Sequence, residues 1–383
     1  MLLNVKTNRK GFRMKKIAWI TFNAFIDTDI YVIRELSNYY QIFWYIIKSG
    51  NDKFEYVKEI DELSGQTNII VQKLQCGRRL RNLECISFYK KLLKEVDNIL
   101  PDVIYTTMAG APWYIPVLYC YGEKKKTIIA IHNVHVPKGG GAYAFFKRYN
   151  SFTIKKFINF QTFSRDQYEL LKQISKEKNI FYAPFILKDY GKSEKTRNDQ
   201  RITFMNFGNI RPYKRIDVLI EAAQSAFEKT NREFRVIIAG KCDEWEQYQK
   251  LIKYPQLFDF RIRRLKNSEI PDLFIETDYF VAPYQDIAQS GSSVVAVNYG
   301  IPIIASSLPA FMEYIEDEKN GYLMKPADKD DLEQIIVKIL NNHQSNYSKL
   351  KENLIEKREK CFSAELICSK YREFFDGIIE QNR

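Results

Sequence analysis

The sequence is poor in groups that chelate or cross-link. Its six cysteines (Cys76, Cys85, Cys120, Cys242, Cys361 and Cys368) include no Cys-x-x-Cys pair, and His132, His135 and His343 are its only histidines. That argues against zinc modules and disulfide scaffolds and fits a reducing cytosol. Walker, Gly-x-Ser-x-Gly and Cys-His nucleophile patterns are missing as well, which removes the common phosphate-loop and acyl-transfer chemistries. Long apolar runs are also scarce. The longest uncharged stretch, residues 103–122, is interrupted by Gly110, Pro112 and Pro116 and reads as a strand, a loop and a helix rather than a membrane span. Residues 1–13 carry basic side chains without an apolar h-region, and are expected to be a disordered tail rather than a signal peptide.

What is present is a globular composition: 383 residues, 45% hydrophobic and 28% charged, enough for two domains with separate cores. The charge is unevenly placed. Residues 1–190 carry 30 Lys/Arg against 17 Asp/Glu, leaving 29 against 30 for the rest, so the whole net +12 lies in the first half (+13 and −1). A basic half joined to a neutral one suggests that the first half alone meets an anionic partner, unless it is merely a solvated basic surface.

Short runs rich in Ile, Val and Phe alternate with helical patterns: 16–22, 68–72, 102–106, 126–131 and 160–163, then 202–207, 234–239, 258–262, 279–283 and 302–305. Such alternation predicts two successive doubly wound α/β domains with parallel sheets, a cleft lying between the carboxyl ends of their strands. The expected division is 14–190, a polar linker at 191–200, 201–360, and an amphipathic terminal helix at 361–383.

Two local patterns point to chemistry. In Phe207-Gly-Asn-Ile-Arg-Pro-Tyr-Lys214 a strand ends at Gly208, and a loop then presents Arg211 and Lys214 before a helix that begins near Arg215. A guanidinium fork and an ammonium at a strand's carboxyl end can grip a diphosphate. In Pro283-Tyr-Gln-Asp-Ile-Ala-Gln-Ser290-Gly-Ser-Ser293 a second strand leads to Ser290, Gly291 and Ser292, which open a helix closed by Gly300 and Pro302. Its first backbone N–H groups form an anion cradle, while Ser290 also reads as a plain N-cap.

With Ala239-Gly240, Gly300-Ile-Pro-Ile-Ile-Ala305, Glu313 and Asn320-Gly-Tyr-Leu323, these motifs resemble the family 4 glycosyltransferases. Those are retaining enzymes of the GT-B fold, two Rossmann-like domains facing a central cleft, which use nucleotide-diphosphate sugars. The resemblance is good from about 200 to 335 and weaker from 14 to 190. It implies that 14–190 binds acceptor and 201–360 binds donor, that Arg211 and Lys214 hold the donor diphosphate, and that the last helix returns to the first domain. The family commonly carries two glutamates eight positions apart on the last donor loop. Here those positions are Ile287 and Val295, as in a subset with Pro-Tyr and Ser-Gly instead, and Asp286 is a candidate replacement.

The resemblance also makes His132, on Ile129-Ala-Ile-His-Asn-Val-His-Val-Pro-Lys-Gly-Gly-Gly141, a candidate to face donor sugar and acceptor, with His135 as the spare. Asp27-Thr-Asp29 looks like the metal-binding Asp-x-Asp of another glycosyltransferase fold, but its place before a helix predicts an N-cap at Thr28 or Asp29 and no metal. Basic residues including Arg78, Arg79, Arg81, Lys90, Lys124–Lys126 and Lys156 interleave with Trp113, Tyr114, Tyr143, Phe145 and Phe146, a mixture suited to anionic lipid headgroups. No nucleic-acid-binding pattern is present. The expected function is therefore transfer of a hexose from a UDP- or GDP-sugar to a lipid-linked saccharide of cell-surface polysaccharide synthesis. It would proceed with retention and without a metal or cofactor, in the cytoplasm at the inner face of the membrane. The alternative, carried by Ile287 and Val295, is a non-catalytic sugar-nucleotide-binding subunit.

Overall fold

A computed structural model describes residues 13–50, 54, 56–77, 79–80, 82–134, 143–287 and 289–383. Most of the expected N-terminal tail, Arg78, Arg81, His135 and the glycine run 139–141 lie outside them. The chain divides into two units, Met1–Ile186 with Ala364–Arg383, and Leu187–Ser363.

The first unit runs β1 (Lys16–Phe22), α1 (Ile26–Leu36), β2 (Gln41–Ser49), α2 (Val57–Ser64), β3 (Ile69–Cys76), α3 (Glu84–Asn98), β4 (Val103–Thr106), α4 (Tyr114–Tyr121), β5 (Thr127–Ile131), α5 (Tyr143–Lys156), β6 (Asn159–Thr162), α6 (Arg165–Ile174) and β7 (Asn179–Tyr182). Its strands pair in parallel in the order β3-β2-β1-β4-β5-β6-β7. Strands buried on both faces are largely apolar, as β1 is at Ile17, Ala18, Trp19 and Ile20, all fully buried. Trp19, Trp44 and Tyr105 pack on one face, and Ile20, Tyr45 and Ile104 on the other against Tyr89 and Tyr114.

The second unit runs β8 (Thr203–Phe207), α7 (Ile216–Thr230), β9 (Arg235–Ala239), α8 (Trp245–Gln249), β10 (Phe258–Arg261), α9 (Ile270–Ile275), β11 (Tyr279–Ala282), α10 (Gly291–Asn298), β12 (Ile303–Ser306), α11 (Pro309–Met312), β13 (Gly321–Met324) and α12 (Lys329–Phe362). Its sheet, also parallel, has the order β10-β9-β8-β11-β12-β13. The two doubly wound α/β units agree with the fold class expected from the sequence.

The chain then enters α13 (Ala364–Gln381), which packs into the first unit. Gln161 Nε2 donates to Tyr371 Oη (2.6 Å), and Asp376 accepts from Tyr40 Oη (3.0 Å) and pairs with Lys15 (2.8 Å). The stretch expected as a linker is bonded along the second unit. Tyr299 Oη donates to the Gly191 carbonyl (2.9 Å), Ser193 Oγ to Asp272 (2.6 Å), and Arg197 grips both oxygens of Asp278 at 2.7 Å.

Three details differ from the sequence reading. The start of α1 is at Ile26 with Phe25 at its N-cap, so neither Thr28 nor Asp29 caps it. Tyr114 is fully buried and contributes nothing to a surface. The strands β2, β7 and β13 were not among those expected. Four residues separate β2 from α1, and its apolar run merges with the helical stripe before it. Among the described residues no helix is long and apolar enough to cross a membrane.

Candidate active site

At the centre of the second sheet β8 and β11 lie side by side, and the chain leaves them toward opposite edges. Successive loops therefore diverge at their carboxyl ends and leave a crevice, the usual ligand position in a doubly wound sheet. Both sequence motifs fall on these loops. Gln285 N donates to the Tyr213 carbonyl (2.8 Å), tying the loops together, and Asn206 Nδ2 donates to the Val281 carbonyl (2.7 Å) just beneath them.

Glycine is required twice here. Gly208 turns out of β8 at φ +111°, and Gly240 holds φ +146° so close by that a Cβ on it would stand 2.0 Å from the Gly208 carbonyl oxygen. The chain past Gly208 makes a 3-10 turn, Pro212–Lys214, then reaches α7 through Arg215 at φ +51°. That turn folds Lys214 inward, leaving it 6% exposed with Nζ 5.4 Å from the Tyr284 ring centroid. The same Nζ lies 3.2 Å from where a Cβ on Gly208 would be, and Ser292 Cβ lies 3.7 Å from that point.

Ser290 caps α10, its Oγ accepting from Ser293 N (3.3 Å) and Ser293 Oγ (2.8 Å). The first-turn N–H groups that follow, at Gly291 and Ser292, have no intrahelical acceptor by construction. A second buried lysine arrives at this point. Lys188 is 7% exposed, and its Nζ lies 3.7 Å from where a Cβ on Gly291 would stand. Two ammonium groups and the positive end of a helix dipole thus lie around two glycines, an arrangement suited to an anion. Beside it Tyr284 Oη is buried with no hydrogen-bond partner among the described residues.

The structure therefore brings together Gly208, Lys214, Ser290, Gly291 and Ser292, and adds Lys188, which the sequence reading missed. Arg211 is not among them. Its guanidinium is exposed and donates to Asp243 Oδ2 (3.1 Å), whose carboxyl is held below the usual range by Lys241 and, less strongly, by Arg211. Asp286 is exposed on the β11–α10 loop. At the positions of the absent glutamates, Val295 on α10 is buried and Ile287 is half-buried.

His132 belongs to the first unit, just past β5. Its ring is stacked between Phe25 and Phe163, with centroids 4.3 Å away on either side. Nearby, at the carboxyl end of β1, Asp29 is fully buried and accepts from Thr21 Oγ1 (2.6 Å) and Thr107 Oγ1 (3.3 Å). Burial pushes its pKa up to about 7, against the opposing pull of those hydrogen bonds.

Elsewhere on this unit, Lys124 and Lys156 lie over the Tyr119 ring (4.2 and 5.1 Å) and Lys90 over Tyr121 (4.6 Å). Leu83 just before α3, Tyr121 on α4 and Phe145 on α5 are exposed.

Residues 189–360 match the model of the family described as glycosyl transferases group 1. Over 323 residues the chain is 24% identical to a poly(ribitol-phosphate) α-N-acetylglucosaminyltransferase of Staphylococcus aureus, covering 82% of this chain and 62% of the relative. The fold is similar to a glycosyltransferase of Rickettsia africae (TM-score 0.75, 17% identity, 96% and 99% of the two chains). It is also similar to Anabaena HepE in complex with UDP and glucose (TM-score 0.72, 15% identity, 95% and 100%). The second unit is thus matched nearly throughout by a glycosyltransferase family, and the chain as a whole shares its fold with solved glycosyltransferases.

Proposed function

We propose that this protein is a retaining glycosyltransferase, of the family 4 subset with Pro-Tyr and Ser-Gly. In this reading it moves a hexose or N-acetylhexosamine from a UDP- or GDP-sugar to a hydroxyl of a polyol-phosphate or saccharide polymer carried on a lipid. The observation that carries the reading is the convergence of Lys214, Lys188, Gly208 and the α10 N-terminus at the β8–β11 crevice. The names of similar proteins support a UDP-sugar donor and a polyol-phosphate acceptor: one is a poly(ribitol-phosphate) α-N-acetylglucosaminyltransferase and another is solved with UDP and glucose.

The bond from the anomeric carbon to the diphosphate oxygen breaks, the acceptor hydroxyl oxygen bonds to that carbon on the same face, and the hydroxyl proton leaves with the nucleoside diphosphate. Negative charge on the diphosphate grows along this path. The two lysines and the α10 amides reward that growth, so they lower the barrier as well as bind the donor, and no metal is called on. Arg211 joins by exchanging Asp243 for a phosphate oxygen. His132 hydrogen-bonds the sugar or the entering hydroxyl, its plane fixed by Phe25 and Phe163. The α3–α4–α5 face rests on anionic headgroups, keeping the enzyme beside a lipid-linked acceptor.

The test is incubation with UDP- and GDP-sugars and a polyol-phosphate acceptor, followed by mass spectrometry of the acceptor and detection of released diphosphate. A product heavier by one sugar supports the assignment. Donor binding without hydrolysis or transfer favours the accessory-subunit reading instead.

A further inference from the structure

A groove of about 600 Å3 runs along β7 in the first unit. Among the described strands β7 pairs only with β6, so its outer peptide edge lies open to the groove. The walls are helical stripes. On α6, Arg165, Tyr168, Glu169 and Lys172 stand at spacings of three and four, and on α13 Lys370, Glu373, Gly377 and Gln381 do the same. Phe181, stacked on Phe374 at 4.4 Å, lies between them.

Several features are wasteful unless something occupies this groove. Neither Arg165 nor Lys172 has a carboxylate partner among the described residues. They lie instead against the Tyr182 and Tyr168 rings, at 5.8 and 5.7 Å. Gly377 sits inside α13, where glycine costs about 1 kcal/mol relative to alanine, yet a Cβ there would touch nothing within 4 Å. No packing demand explains it, whereas a ligand lying against the helix backbone does.

The mixture of charges narrows the occupant. A bare polyanion would meet Glu169 and Glu373, and a flat bilayer cannot enter a channel between two helices. A chain that alternates phosphates with hydroxylated carbons fits both the cations and the carboxylates, and its hydroxyls can use the free peptide groups of β7. The groove also leads toward the first unit's candidate residue. Arg165 follows Phe163 by two positions, and Phe163 stacks on His132.

We infer that this groove holds an extended polyol-phosphate segment of the acceptor, so that one polymer chain spans the β7 edge and the carboxyl end of the sheet near His132. The inference rests on the acceptor class proposed above. It makes the protein a reader of polymer length, binding a chain better than one repeat.

The experiment is fluorescence anisotropy of the full chain with labelled oligo(ribitol phosphate), single ribitol phosphate, an uncharged glucan oligomer and phosphatidylglycerol vesicles. It compares the parent with Gly377→Leu and Lys172→Glu. Leucine favours the helix that glycine weakens, so Gly377→Leu fills the groove without threatening the fold, which a melting curve checks. Both variants should lose about tenfold or more in oligomer affinity, the scale of a few charge-assisted phosphate contacts, and keep parental affinity for the single unit and for UDP. Unchanged oligomer affinity in both variants overturns the inference. So does equal parental affinity for oligomer, single unit and glucan, or vesicle binding that both variants abolish. If the parent binds oligomer but never UDP, the transferase reading fails while the groove stands.

Discussion

Replacing Asp29 by asparagine should remove a pH dependence that runs opposite to that of most carboxylates, because native Asp29 lends stability that falls as pH rises. In the native protein its pKa is about 7, raised from 3.8 chiefly by burial, with Asp27 adding repulsion, although Thr21 and Thr107 hydrogen bonds oppose the rise. The native state therefore holds a proton that the unfolded chain releases from about pH 4 upward. Stability falls with pH across that window and levels off above pH 7, because the native state binds more protons there. Each pH unit is worth about 1.4 kcal/mol, so between pH 5 and pH 8 the parent should lose roughly 3 kcal/mol relative to Asp29→Asn. Asparagine keeps an oxygen for Thr21 and has no proton to lose. Urea unfolding followed by tryptophan fluorescence suits the test, since Trp19, Trp44 and Trp113 all lie in the first unit and only Trp245 in the second. A gap between the two proteins that stays constant from pH 5 to pH 8 would refute the reasoning, and one that opens in the opposite direction would show that Asp29 is native as a carboxylate.

Gly240→Ala should lower stability by about 3 kcal/mol or more, since its methyl would enter the Gly208 carbonyl at φ +146°, and thermal melting measures it. His132→Ala should cut transfer at least tenfold with little change in donor affinity, because His132 belongs to the first unit and the lysines to the second; turnover and donor titration on one preparation check it. Anionic vesicles should bind the protein at about 0.05 M salt and release it near 0.5 M, as the Debye length shortens about threefold, and cosedimentation reads this directly.

Much of the architecture was legible because parallel sheets write themselves as continuous apolar runs, as in Lys16–Phe22 and Arg235–Ala239. The run Gln41–Ser49 was hidden by its closeness to a helix whose apolar stripe leads straight into it. The glycines and the Ser290 cap were legible since each answers a local backbone need, and local needs depend on neighbours in sequence. Lys188 was not, for nothing in a polar stretch after Ile186 says that its side chain will turn inward to a helix more than a hundred positions later. The same reason hid the engagement of Arg211 by Asp243, a contact set by where the loop after β9 falls. Asp29 was misplaced by two or three residues at a helix start, and that shift turned an expected surface cap into a buried acid.

In the proposed reading, the β8–β11 crevice holds a nucleoside diphosphate through Lys214. Calorimetric titration of UDP and of uridine into the parent and Lys214→Ala tests it most directly. The substitution should weaken UDP by about 1.5–3 kcal/mol, the scale of a charge-assisted hydrogen bond, and leave the phosphate-free nucleoside unaffected. Equal UDP affinity in parent and folded variant would contradict it.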